Sequence, residues 1–541
     1  MSGESNLTAP RFTNSLLSPE TSGPLSTFSG RAVSPEPVQG ETTRFTPRPT
    51  SPDADNGAAP AGAATLPCAP RILDAYFARK VVTETAGADG AAATTSVALV
   101  RIDEHVLGRV VYVVVDVELC SPSTAAGTQV TITLRANDDR LTGTARQALR
   151  TTDGTADVET RTVGIGVTTA LNDKDGNCAY TNLASFAAKA IFKVTLRPHA
   201  RADFDTWARQ IAAATEPPTV GIDAAAAGVQ AYFPANGARL LQLINRKVYE
   251  IHHPSNLYNF LGTHTYNGAT VRRRISNIQN ASTDKVRYYF FNRIDNTHQI
   301  CEVTQTRVRR RANGVTIART SAEANIPRGY IETGGTAGGD AAVNYYYNAP
   351  GSRDTTRKTP LSSYHRIVTR DDPNGSNRDY GVKQYDLANP NDPNDMVDLV
   401  RMPDTLDHDQ ETGANRVRAT FTWSGTQRRY ANPGCFAGFL GALIQLARND
   451  VRCTGMCFGD ATSYPSVSHP NGDSVDTGYL TAATEQSKVN AFRDHYYVNI
   501  LAGTEGFKGA LTGVTHRADH NDHLHAGDFD SARVVVQNPA T

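Results

Sequence analysis

The sequence predicts a multidomain protein. N-terminal β-rich, sandwich-like modules precede a C-terminal α+β domain with a small antiparallel sheet. Three observations predict this. The first 66 residues are crowded with Pro, Ser, Thr and Gly and hold nine of the 28 prolines. β-branched runs separated by turn-rich stretches follow them. Near the C-terminus the apolar residues adopt helical spacing, and six of the 14 histidines fall between residues 469 and 525. At about 100–200 residues per domain, 541 residues call for more than one unit.

Residues 1–66 cannot bury enough apolar surface to offset their ordering entropy, so a disordered arm is expected. Residues 67–228 form the first expected β module. Its strands are "RVVYVVVDVEL" (109–119), "TQVTITLRA" (128–136) and "AIFKVTLRP" (190–198), with one helix over 203–214. "NDKDGN" (172–177) lacks the downstream Glu of a calcium loop and reads as an Asx-rich turn. Residues 229–335 form a second β-rich module. Its alternating aromatic and charged residues predict an antiparallel meander with one solvated face. The arginine runs 272–274 and 309–311 read as charged strand edges rather than a polyanion site. Tyr258, Phe260 and Tyr266, beside His252 and His253, read as core aromatics before a carbohydrate-stacking patch. Residues 336–430, rich in Gly, Asn, Asp and Pro, form a loop-rich linker unit, and 431–541 the final domain.

Composition excludes some functions. Lys plus Arg and Asp plus Glu each total 54, so the formal net charge is zero. A nucleic-acid binder would carry a surplus of basic surface. No run of about 18 apolar residues occurs, so no membrane span is expected. Residues 1–30 lack the basic and apolar regions of a Sec signal. The seven cysteines are odd in number and loosely spaced, and buried thiols are the expectation.

The chemistry lies in two C-terminal stretches. In "SHPNGDSVDTGY", His469 and Asp476 flank the turn signal Asn471-Gly472, which folds the chain back and aims both side chains at one point. In "DHNDHLHAGDF", His523 and His525 are two apart on an expected strand and share a face. Two imidazoles, one carboxylate and a fourth position open to water fit a catalytic zinc site. A further histidine supplies a group that holds or moves protons. A lone H-x-H or H-x6-D is a weak signal. Both together, in this order, are specific. "CFAGFLGALIQLA" (435–447) and "TAATEQSKVNAFRDHY" (481–496) read as helices packed on the sheet, with His495 and His516 as structural or surface residues.

These motifs resemble those of zinc peptidases of the lysostaphin and D-Ala-D-Ala-carboxypeptidase type, closest to the penicillin-insensitive murein endopeptidases. The ligand motif S-H-x-x-G-x-x-V-D stands here as Ser468, His469, Gly472, Val475 and Asp476. The closing motif H-x-x-H-x-H stands as His520, His523 and His525. The resemblance covers only about residues 430–541. It implies that His469, Asp476 and His525 hold Zn2+. It also implies that His523 transfers the proton or stabilises the oxyanion, that His520 assists it, and that Asp522 orients a histidine. Tyr464, ahead of the first ligand, is a weaker candidate for the substrate cleft. The implied activity is hydrolysis of peptidoglycan stem peptides, as an endopeptidase acting on crosslinks.

The long N-terminal extension and the missing Sec signal depart from that family. With the β modules they suggest a lysin, cargo or effector of a phage tail, contractile injection system or type VI secretion system. Such a protein would be made in the cytoplasm and be particle-associated, or delivered to the extracellular space or periplasm of a target cell. The alternative is a structural or adhesive tip protein whose metal domain is inactive or only binds wall peptides. A zinc amidase or peptidase with a non-wall substrate is a third, minor reading.

Overall fold

The computed structural model describes residues 70–537, except 89–90, 120–126, 173–179, 234–239, 254–263, 267–268, 272–273, 279–283, 293–296, 319–327, 333–343, 349–358, 361–364, 371–378, 413–414, 425, 427 and 464–465. The arm at 1–66, the turn at 172–177 beyond its first residue, Tyr258, Phe260 and Tyr464 therefore lie outside the described residues. Contacts divide the chain into Met1–Thr65 and Leu66–Thr541. The described part is β-rich, with three α-helices among the described residues.

Two sheets pack face to face in the first β region. One runs Thr94–Arg101, Arg71–Thr85, Val110–Glu118, Lys189–Thr195. The other is built around Gln129–Ala136 and Thr219–Ala226. Val130, Ile132 and Leu134 alternate with polar residues and meet Val111, Val113 and Val115 in one core, as the two-residue period of a strand requires. The helix Arg201–Ala213 adds Phe204, Ala208 and Ile211 to that core. Val110–Glu118 is apolar without alternation because it is covered twice: Tyr112 and Val114 point the other way, into a cluster with Val82, Val97 and Phe186.

A seven-stranded sheet follows, in the order Tyr430–Ala431, Met396–Arg401, Thr297–Arg309, Lys285–Phe291, Lys247–His252, Ile275–Ile278, Val535–Gln537. It is not the antiparallel meander expected from the alternation. Lys247–His252 pairs in parallel with Lys285–Phe291, and Ile275–Ile278 in parallel with Val535–Gln537. Nor is one face solvated. Tyr249, Ile251, Tyr288 and Phe290 pack on one side, while Val248, Tyr289 and Phe291 pack with Val106 and Ile244 on the other. His252 is buried and stacks on Phe291 at 4.9 Å between ring centroids. Arg309 donates to the Asn389 and Asp392 carbonyls and Arg310 pairs with Asp395, so these arginines serve the fold. Between Val315 and Gln384 the backbone forms two three-stranded sheets.

The last sheet runs Leu406–Thr412, Asn415–Trp423, Arg452–Gly455, Val475–Gly478, His523–Phe529, Tyr497–Ala502, Thr515–His516. Its centre is antiparallel as expected, but Asn415–Trp423 pairs in parallel with Arg452–Gly455. The helix Pro433–Leu446 lies between those two strands in sequence, and a crossover of that kind yields a parallel pair. Asn432 caps the helix by accepting from Gly434 N at 2.9 Å, Pro433 occupies its first turn, and Ala447 ends it at φ 52°. The helix is apolar on every side because it is sandwiched. Tyr288 donates to the Pro433 carbonyl at 3.0 Å from the seven-stranded sheet, while Phe439 packs on Phe421 and Phe492. Residues on both sides of position 431 thus share one core.

Candidate metal centre

The register of two strands builds the site. Val475–Gly478 and His523–Phe529 pair so that Asp476 lies directly opposite His525, and Gly478 opposite His523. Opposite residues and residues two apart share a face, so all three side chains project to the same side. His469 arrives from the loop before the first strand. Asn471 and Gly472 both adopt positive φ, 67° and 74°, and turn the chain back as the Asn-Gly pair predicts. Gly472 is required twice over. A Cβ there would also lie 2.5 Å from Asn432 N, and the close approach lets Asn432 N donate to the Gly472 carbonyl at 2.9 Å.

The three side chains converge. His469 Nε2 lies 2.7 Å from His525 Nδ1, and Asp476 Oδ1 lies 3.0 Å from each of them. All three residues are buried, none more than 3% exposed. His469, Asp476 and His525 are thus a group that could hold a metal ion. The donor set fits zinc. At bond lengths of roughly 2.0–2.2 Å, tetrahedral zinc holds nitrogen and oxygen ligand atoms a little over 3 Å apart. Protonation supports the fit as well. Burial pushes the His469 imidazole down to about 4, against the opposing pull of Asp476, so it is neutral as a ligand must be. Burial opposes ionisation of Asp476, but His469, His525 and Arg428 outweigh it and hold the carboxyl well below the usual range.

His523 stands beside this group, less buried. Its Nε2 is 3.8 Å from Asp476 Oδ1, and its Nδ1 lies 2.7 Å from Asp522 Oδ1. Asp522 thus orients His523 in particular. His520 is a near copy, with Nδ1 2.9 Å from Asp519 Oδ1 and ring centroids 4.9 Å from His523 and 5.7 Å from His525. His469, Asp476, His525, His523, His520 and Asp522 lie together, while Tyr464 falls outside the described residues. His495 and His516 are elsewhere: His495 Nδ1 bonds the Ala491 carbonyl against the helix Pro433–Leu446, and His516 spans the Gly503 and Leu511 carbonyls.

Other groups support the site. Arg428 donates to Asp476 Oδ2 at 3.4 Å and so faces the carboxylate oxygen turned away from the histidines. Asp519 holds His520, and its signal was present: "DHNDH" repeats an acid-histidine pair three residues apart. Tyr479 OH donates to the His520 carbonyl and accepts from Gly503 N, both at 2.7 Å. The Asn471 amide pairs with both backbone groups of Arg311, at 2.8 and 2.7 Å.

No protein-family model matches the chain, and no curated protein matches it. The functional reading therefore rests on the motifs and on this geometry.

Asp473, between the ligands in sequence, gives a pH test. Burial raises its carboxyl to about 6, with Arg310 opposing and Asp528 reinforcing. The folded state then holds a proton that the unfolded chain releases near pH 4. Stability must fall as pH rises from about 4 to 6 and level off above. Asp473→Asn removes this fall. The variant should match wild type at pH 4 and exceed it by roughly 1–3 kcal/mol at pH 7. Urea unfolding at both pH values checks this, and equal gaps at both would refute it.

Proposed function

We propose that the chain is a zinc-dependent peptidoglycan peptidase, an endopeptidase of stem-peptide crosslinks. The observation that carries the reading is the convergence of His469, Asp476 and His525, with His523 on the more open side. Zinc, when bound, supplies polarisation of a scissile carbonyl and a water of lowered pKa. The chain's own residues do the rest. Asp522 accepts the Nδ1 proton of His523, which leaves Nε2 of that ring to accept or return a proton beside Asp476. His520, held by Asp519 and Tyr479, lines the same side and assists. Burial of the ligands excludes water from behind the site and strengthens every charge interaction there.

The β modules before the site suit delivery or placement, as a lysin, cargo or effector of a phage tail, contractile injection system or type VI secretion system. Co-purification with tail or sheath particles tests that part.

The chemistry is tested by digesting sacculi with the full-length protein, zinc supplied, and analysing the products by mass spectrometry. Crosslinked muropeptides should be cut by wild type and spared by His469→Ala. Identical products from both proteins would end the proposal. Bound zinc without any hydrolysis would favour the structural or adhesive reading.

A further inference from the structure

Leu406–Thr412 and Asn415–Trp423 form a hairpin at the edge of the sheet that carries the metal centre. Among the described residues, the hairpin joins the rest of that sheet only at its base, where Thr422 and Trp423 pair with Arg452 and Cys453. Packing holds the remainder. Leu406, Val417, Ala419 and Phe421 belong to the shared core. His408 lies opposite Ala419, and Gln410 opposite Val417. Leu406, His408 and Gln410 therefore form one inward row.

The two polar members of that row meet His298 of the strand Thr297–Arg309, in the seven-stranded sheet. His298 Nδ1 lies 2.9 Å from Gln410 Oε1, and the His298 and His408 rings stand edge to face with centroids 6.1 Å apart. Gln410 Oε1 only accepts, so Nδ1 of His298 carries the proton and its Nε2 is a bare lone pair. His298 is 3% exposed. Nε2 of both rings is buried, without a hydrogen-bond partner among the described residues. Such a pair is stable only while both rings are neutral. The surrounding groups offer no counterion. Arg79, on the strand Arg71–Thr85, is a further cation acting on His298. Asp409 points to the outer face of the hairpin, where Arg416 and Arg418 bond it at 2.6 and 2.9 Å. From the paired strands Lys285–Phe291 and Asn415–Trp423 the facing residues are Phe290 and Ala419. Thr297 and Gln299, which flank His298, are neutral.

We propose that His298 and His408 form an acid-released latch, which holds the hairpin on the seven-stranded sheet at neutral pH and lets it go when either ring takes a proton. Burial pushes His408 down to about 4, with His298 adding to the fall and Asp409 opposing it. Burial lowers His298 as well, with Gln410 opposing and Arg79 reinforcing. Once the hairpin opens, both rings meet water and titrate near 6.5. The closed state is therefore fully favoured above about pH 6.5, and that preference is lost as pH falls from there toward 4. For His408 alone, the opening equilibrium should rise about 10–20-fold between pH 7 and pH 5. Acidity thus acts where the two sheets meet. The inference is independent of the proposed peptidase activity.

Hydrogen exchange of the full-length protein at pH 7 and pH 5 tests it, read by mass spectrometry and corrected for the intrinsic pH dependence of exchange. Protection over 406–421 should fall by about tenfold or more, while that of Gln129–Ala136 in the sandwich core holds. His298→Gln and His408→Gln remove a titrating ring, so each should reduce the fall, and the double variant should abolish it. Unchanged protection of the wild-type hairpin would overturn the proposal. So would an equal loss over Gln129–Ala136, which is general acid unfolding, or an undiminished fall in the folded double variant. The two wild-type readings decide the matter should the variants fail to fold.

Discussion

Asp476→Ala is expected to strip the metal centre. Asp476 supplies one of three convergent ligand atoms, and its Oδ1 is the atom shared between His469 and His525. Structural zinc sites contribute roughly 10–16 kcal/mol over four ligands. Loss of one protein ligand therefore costs roughly 3–4 kcal/mol, or about 10²–10³ in zinc affinity. Two imidazoles would remain in a buried site with no anion to balance a dication. Arg428→Met is a graded comparison. It leaves all three ligand atoms in place and removes only the guanidinium that faces Asp476 Oδ2, so a loss of about 10–100-fold is expected. Zinc competition titrations read both variants. Zinc affinity equal to wild type in Asp476→Ala would mean that the metal is held elsewhere. Peptide hydrolysis, where it is seen, should fall with the zinc content in both cases.

Lys488→Met should be the most destabilising single change in the C-terminal sheet region. Lys488 and Glu485 are both completely buried on the helix Ala482–Asp494, and their charged groups are 3.0 Å apart. Each also reaches the chain just after Asp476. Lys488 Nζ donates to the Gly478 carbonyl at 2.7 Å, and Glu485 Oε2 accepts from Leu480 N at 2.7 Å. Burial pushes the lysine below its ordinary value while Glu485 pulls it back. Removing one member leaves the other charge buried without a counterion, at a cost of about 3–5 kcal/mol. The double variant Lys488→Met/Glu485→Gln should recover a good part of that, because no net charge stays buried. Urea midpoints measure both. A single-variant cost under about 1 kcal/mol would contradict the argument.

Gly478, which receives Lys488, lies opposite His523 in the strand pair. The Lys488–Glu485 pair therefore supports the end of the ligand strand. It went unnoticed in the sequence because Glu485 and Lys488, three apart on a helix, look like an ordinary solvated pair. Only the packing of that helix against the sheet turns them inward.

The same contrast runs through the rest of the molecule. The local signals were legible. Period-two alternation marked Gln129–Ala136, and helical apolar spacing marked Pro433–Leu446. Asn471-Gly472 marked a reversal that the positive φ values show. The spacing of His523 and His525 placed them on one strand face. These are effects of a few consecutive residues on backbone and face, and composition order suffices to read them. Residues 229–335 are β-rich as expected, but the antiparallel meander with one solvated face is not found there, for the opposite reason. Charged and aromatic residues alternate there, yet both sheet faces are covered. Glu250 and Arg287 are buried because arginine and glutamate partners reach them from the sandwich.

By itself, the sequence marked His469, Asp476 and the pair His523 and His525 as side chains that could meet a metal, with the choice of His525 implied only by the resemblance, and marked the strands and turn that would carry them. Tertiary structure alone decided what holds them there. The ligand loop is pinned by Arg311 through Asn471 and by Gly314 N, which donates to the Val467 carbonyl at 2.8 Å. Tyr385 bonds the Ser466 carbonyl, and Arg428 faces Asp476. These supports lie between about 50 and 160 residues from the groups they hold. Nothing in the local pattern encodes such a distance. It is set by the burial of one apolar helix between two sheets, which brings strands from both sides of position 431 into a common core.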